Sequence, residues 1–180
     1  EISTSYVNNA ISEYISSHIS ESAGIPTHET VLGYYNDEIV VGCLDFRKPN
    51  EDNMQFSEFV HAAYDSKDIK RITLLSQIYD TLNNPVNYFS DDLKKASIDR
   101  YWETFVIDAL VGNFDRHIGN WGYLSCQGQL RLAPAYDFGS TLFPQLSDVG
   151  MEEKMNSEYE MLIRCLVFPS PSLCITKEKV

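Results

Sequence analysis

The chain has 180 residues, 43% of them hydrophobic and 22% charged, enough to bury one sizeable core or two small lobes that share a cleft. A formal net charge of −12 excludes an extended, sequence-independent nucleic-acid surface, which needs Lys and Arg to displace counterions from phosphates. A single small phosphate site stays open to so acidic a chain, because carboxylates can recruit a divalent cation that brings the positive charge.

Tyr6 to Ser22 has the spacing of an amphipathic helix, with Val7, Ala10, Ile11, Tyr14, Ile15, His18 and Ile19 recurring at steps of three and four. Gly24 and Pro26 end it. Glu29 to Tyr35 and Glu38 to Phe46 are strand-like and meet at Asn36-Asp37, which predicts a hairpin. Arg47 to Asn53 is polar and contains Pro49, so a lobe boundary is placed there. Helices are expected over Phe56 to Tyr64 and Ile69 to Leu82. A central one follows Ser90, with Leu93, Ile98, Trp102, Phe105, Val106, Ala109 and Leu110 as its apolar face and Asp91 and Asp92 near its positive end. It ends near Gly112, and a second hairpin follows, Trp121 to Ser125 and Gln129 to Leu132, turning at Gln127-Gly128. Ser157 to Leu166 reads as a helix and Phe168 onward as a loop. No apolar run reaches the roughly 20 residues that span a bilayer. The opening Glu1-Ile2-Ser3-Thr4 lacks both an initiator Met and a secretory leader, so the chain is expected to be part of a longer protein. Cys43, Cys126, Cys165 and Cys174 form no CxxC pair and have no zinc-like His spacing. They read as reduced packing thiols in a cytoplasmic protein, in preference to a Cys165–Cys174 disulfide.

The chemically informative stretch is Gly112-Asn-Phe-Asp-Arg-His-Ile-Gly-Asn-Trp-Gly122, and beyond the second hairpin lies Ala135-Tyr-Asp-Phe-Gly-Ser-Thr141. A hairpin returns the chain to where it left, so Asp115, Asn120 and Asp137 can converge. Two carboxylates and an amide oxygen suit a hard cation such as Mg²⁺. Phosphoryl transfer needs that inventory, with one Asp beside the attacking hydroxyl and an Asn and an Asp for the metal. The bland alternative makes both aspartates turn or helix caps. The order of the two segments around one hairpin favours chemistry.

Asp115 with Asn120 five positions later matches the D-x-x-x-x-N of a kinase catalytic loop, and Asp137-Phe138-Gly139 matches its metal-binding DFG. The context Asn113-Phe-Asp-Arg-His is not the usual His-Arg-Asp. Together with Tyr136-Asp-Phe-Gly-Ser140 it resembles the HipA-like serine/threonine kinases of bacteria, which are distant relatives of the phosphoinositide 3- and 4-kinases. Ser12-Glu-Tyr-Ile15 and Val40-Val-Gly-Cys-Leu-Asp-Phe46 add to the likeness. The resemblance is sharpest over 101–142, fair over 6–47 and weak beyond 145.

This resemblance implies an α+β, protein-kinase-like two-lobe fold. Residues 1–47 would be a partial N-lobe (helix plus β-hairpin) and 48–180 a mostly helical C-lobe. It makes Asp115 the catalytic base, with Arg116 and His117 in the loop near the phosphates, His117 either contacting nucleotide or fixing the loop. Asn120 and Asp137 become Mg²⁺ ligands, and Glu13 the partner of a nucleotide-binding lysine. Cys43, Leu44, Asp45 and Phe46 become the hinge that reads adenine. The family's phosphate-covering loop and strand lysine would precede the first helix, ahead of residue 1. The implied activity is transfer of the ATP γ-phosphoryl to a Ser or Thr of a protein, with an antitoxin-like protein as a further partner. A phosphoinositide or small-molecule kinase and a catalytically silent interaction module are the alternatives. Ser140 and Thr141, next to the metal Asp, are candidate phosphorylation sites.

Overall fold

The computed structural model describes residues 8–64, 75–87 and 89–166, with no side-chain description for 164–166. The first helix, α1, spans Asn9–Ser22 and packs on the hairpin β1 (Thr30–Tyr35) and β2 (Glu38–Cys43). The hairpin turns at Asn36 and Asp37, both at positive φ (52° and 63°), as a tight two-residue connection requires. A second, three-stranded antiparallel sheet has the order β3 (Asp52–Gln55), β4 (Gly122–Cys126), β5 (Gln129–Leu132). The helices α2 (Phe56–Ala63) and α4 (Asp91–Val111) pack against it, α3 (Leu75–Asn83) packs on α2, and α5 (Asp148–Met155) and α6 (Glu158–Leu166) follow.

One core cluster joins Phe56, Phe59 and Val60 of α2 to Ile78 and Leu82 of α3, with Phe89 and Tyr123. A smaller one joins Ile25, Ile107, Val111, Ala135 and Phe138, and so ties the end of α4 to the segment that carries Asp137. Ser90 caps α4 by accepting from the Leu93 N–H, and Gly112 ends it in the left-handed conformation (φ 69°). Gly122 is required for a different reason: a Cβ there would lie 2.2 Å from the Met54 carbonyl oxygen, which would push β3 away from β4.

Two expected helix faces are corrected. On α1 the buried residues are Ser12, Glu13, Ser16, Ser17 and Ser20, not the apolar row, and Ile15 is 40% exposed. Small hydroxyls let α1 approach the 138–141 backbone closely, and they find partners there: Ser12 Oγ donates to the Thr141 carbonyl (2.7 Å) and Ser16 meets Thr141 Oγ1 (2.7 Å). On α4, Val106 and Leu110 are exposed, while Ser97, Ile107, Asp108 and Val111 turn inward. A polar network at the helix end draws that face in. The boundary segment is also shorter than expected, because Asp52 and Asn53 pair with Ser125 and Leu124 as part of β3. Helix α5 and strand β3 had no expectation. Residues 69–74 of the expected third helix and the loop from Phe168 lie outside the described residues. Cys43 and Cys126 are free thiols, whereas the Cys165 side chain and Cys174 lie outside the description.

Candidate active site

The loop after α4 is strapped from behind. Asn113, 1% exposed, donates through Nδ2 to Asp108 Oδ1 (2.8 Å) and accepts the Asp115 N–H on its Oδ1 (3.1 Å). Asn120 is buried and donates through Nδ2 to the Asp115 carbonyl (3.0 Å). Its Oδ1 and the carboxylates of Asp115 and Asp137 accept no hydrogen bond among the described residues. These oxygens are therefore available to a ligand. Asp115 and Asp137 are both exposed at the residue level.

Arg116 points the other way. Its guanidinium forks onto Asp108 (Nε to Oδ2 2.8 Å, Nη2 to Oδ1 3.1 Å) and donates through Nη1 to the carbonyls of Asn120 (3.0 Å) and Tyr136 (2.6 Å). Its charge also lies 4.8 Å from the centre of the Phe138 ring. Burial alone would weaken its hold on its proton, but Asp108, with Asp137 and Glu13 behind it, more than reverses this. One side chain thus joins α4, the 115–120 loop and the 136–138 segment. The geometry is that of a positioning residue. His117 is exposed, and its Nδ1 accepts the Gly119 N–H (3.0 Å).

Asp137 sits at φ 64°, left-handed for a residue with a side chain. Phe138 beside it is fully buried, and its N–H donates to Glu13 Oε2 (2.7 Å). The Asp137 carboxyl is pushed above its ordinary range, chiefly by lost solvation in the cleft. Arg116 opposes the shift, Glu13 and Asp115 add to it, and His117 opposes it weakly. Of the two residues expected to converge with Asp137, Asp115 is near enough to act on its carboxyl. No set of three His, Cys, Asp or Glu side chains that could hold a metal occurs among the described residues. A site of two carboxylates and one amide oxygen falls outside that description, and hard oxygen donors fit Mg²⁺.

Asp137 lines a cleft of about 530 Å³ whose other walls include Asn9, Glu13, His28, Val41, Cys43, Leu44, Asp45, Phe46, Asn53 and Tyr136. All four expected hinge residues are on this wall. Leu44 gives its N–H to the Glu29 carbonyl (2.9 Å), while the N–H groups of Asp45 and Phe46 have no hydrogen bond among the described residues. Phe46 stacks on Tyr136 with ring centres 5.6 Å apart. Asp45 binds Arg47 in a bidentate pair that holds its carboxyl down at about 2. Lost solvation, with Glu13 and Asp137 nearby, pushes the Cys43 thiol up and so keeps it protonated. Glu13 lines the cleft, but both its oxygens are engaged, by Phe138 N–H and by His28.

Thr141 is corrected as a phosphorylation candidate. It is fully buried, and its hydroxyl is bonded to Ser16 and to the Phe138 carbonyl (2.8 Å). Asp108, Asn113, Tyr136 and His28 had been given no role. Asn113 and Tyr136 stand in the two motif segments, whereas nothing local in the sequence marks Asp108 or His28, because packing decides which way each faces.

A kinase-like fold of helices around small antiparallel sheets, with one open cleft beside the 136–139 segment, is the class that this structure defines. The family model of the HipA-like C-terminal domain matches residues 2–172, and the chain belongs to that family. It is 33% identical over 171 residues to the serine/threonine-protein kinase CtkA of Helicobacter pylori (strain J99), covering 94% of this chain and 51% of that protein. The chain therefore spans about half the length of this curated relative. The crystal structure of the H. pylori proinflammatory kinase CtkA superposes with a TM-score of 0.82 at 34% identity, over 92% of this chain and 60% of that one. No helix among the described residues is long and apolar enough to cross a membrane.

Proposed function

We propose that the protein carrying this chain is a serine/threonine kinase that transfers the γ-phosphoryl of ATP to a protein hydroxyl. The observation that carries this reading is the set of oxygens on Asp115, Asn120 and Asp137 that accept no hydrogen bond among the described residues, with Asp115 near enough to act on the Asp137 carboxyl and Asp137 on the wall of the cleft, in a chain of the HipA-like family. Residues 1–47 would form part of the nucleotide lobe and 48–180 the catalytic lobe.

Asp115 accepts the proton of the attacking Ser or Thr hydroxyl and aims its oxygen at the γ-phosphorus. Asn120 and Asp137 would hold Mg²⁺, which when bound neutralises charge on the phosphates and on the transferring group. The unused N–H groups of Asp45 and Phe46 suit the edge of an adenine, and the Phe46–Tyr136 pair closes one side of the cleft. His117 stands in the loop near the phosphates, and Arg116 acts through the loop it secures. Glu13 is available to a strand lysine through its remaining lone pairs. The free thiols Cys43 and Cys126 fit a reducing cytoplasm.

The test is γ-phosphoryl transfer from Mg-ATP by the intact protein. Loss of a positioned base costs about 10²- to 10⁴-fold, so Asp115→Asn should reduce transfer by that factor. Undiminished transfer would remove Asp115 from the mechanism.

A further inference from the structure

Glu13 is 8% exposed and His28 is 7% exposed, and the two meet inside the protein. The His28 Nε2–H donates to Glu13 Oε1 at 2.7 Å, since a carboxylate can only accept. Ser17, one turn beyond Glu13 on α1, has its Oγ 3.1 Å from the same nitrogen. The other oxygen of Glu13 takes the Phe138 N–H at 2.7 Å. The imidazole therefore fixes one half of a carboxylate whose other half fixes the Asp137–Phe138 peptide.

The backbone of His28 is pinned to the same segment. Its N–H donates to the Ala135 carbonyl (3.0 Å), the Ala135 N–H donates to the Pro26 carbonyl (2.8 Å), and Thr27 and Ala135 form a parallel bridge. His28 is thus placed two residues upstream of Asp137 through its backbone and one peptide downstream through Glu13. Asp137 between them keeps a left-handed φ of 64°. Such a conformation in a residue with a Cβ is strained and persists where the surroundings over-determine it. The bond from Phe138 N–H to Glu13 is one such constraint, and the full burial of the Phe138 ring is another.

We infer that His28 is a positioning residue for phosphoryl transfer: by holding Glu13 against the Phe138 N–H it keeps the Asp137 carboxylate turned into the cleft. This rests on the kinase reading for its functional half and on the geometry alone for its structural half. Glu13 is consequently set in place by residues of this chain before any lysine joins it. A buried histidine that only filled space would stabilise the fold without touching the turnover of folded enzyme.

The experiment compares the intact wild-type protein with His28→Leu and with His28→Gln, whose amide can replace the Nε2–H donor. Two readouts are taken well below each variant's Tm: the ¹⁵N–¹H resonance and exchange rate of the Phe138 amide, and kcat and KM for Mg-ATP. His28→Leu should shift the Phe138 amide upfield and speed its exchange. It should also lower kcat about tenfold to a hundredfold, the scale of an ångström-level misplacement, with KM changing far less. His28→Gln should recover most of both. An unchanged Phe138 amide in His28→Leu overturns the inference, and so does a shifted amide with wild-type kcat. If wild type transfers no phosphoryl group while the amide still responds, the link from His28 to Phe138 stands and the kinase reading falls.

Discussion

Arg116 offers the most demanding test of how the site is built. Its side chain is 12% exposed and that of its partner Asp108 is 3% exposed, so Arg116→Met leaves a buried carboxylate with only Asn113 to answer it. Removing one member of such a pair costs about 3–5 kcal/mol, because the remaining charge stays buried and unpaired. The carbonyls of Asn120 and Tyr136 lose a charged donor in the same step. For a chain of this size each kcal/mol moves Tm by about 2–4 °C, so Tm should fall by about 6–20 °C. Arg116→Lys should fall in between, since an ammonium cannot fork onto Asp108 and also reach both carbonyls. Adding Asp108→Leu to Arg116→Met should recover part of the loss, because the stranded charge is gone. Urea or thermal unfolding gives the comparison. A cost below about 1 kcal/mol for Arg116→Met would refute the claim that this fork organises the loop.

Asp137→Asn should raise Tm near pH 7 while abolishing transfer. A carboxyl whose folded-state value is raised binds its proton more tightly in the folded protein. Stability is therefore lost as pH rises from the unfolded value through the folded one, and the neutral amide avoids that loss. The Tm gain should vanish below pH 3, and a gain that persisted there would reject the electrostatic cause. Gly122→Ala places a Cβ 2.2 Å from the Met54 oxygen and should separate β3 from β4, with a Tm fall as the measurement. Thr141→Val strands the Ser16 hydroxyl and should cost about 1–3 kcal/mol. Mass spectrometry after incubation with ATP should find no phosphate on Thr141.

Where a signal was local, the sequence carried it well. The Asn36-Asp37 and Gln127-Gly128 turns, the Ser90 cap and the Gly112 stop are decided by neighbours in the chain, and each stands where its residues require. The convergence of Asp115 and Asp137 was legible because one short hairpin separates their segments. The buried face of α1 was not. Helical periodicity assigns apolar residues to the core, but four serines and Glu13 are buried there because polar groups are what they meet: the 138–141 segment for Ser12, Ser16 and Glu13, His28 for Ser17 and Thr27 for Ser20. Strand β3 escaped notice because Asp52 and Asn53 have low strand propensity, and pairing with β4 overrides it. Arg116 looked catalytic from its place in the loop, and only the position of Asp108, eight residues earlier on α4, shows where it points.

On the proposed reading Asp115 serves the acceptor hydroxyl and Asp137 the metal, and calorimetric titration of the intact protein with a non-hydrolysable ATP analogue, with and without Mg²⁺, separates the two roles. Asp137→Asn should lose the Mg²⁺-dependent part of the affinity, while Asp115→Asn should keep it despite failing to transfer phosphate. Full Mg²⁺-dependent binding by Asp137→Asn, or its loss in Asp115→Asn alone, would contradict the assignment.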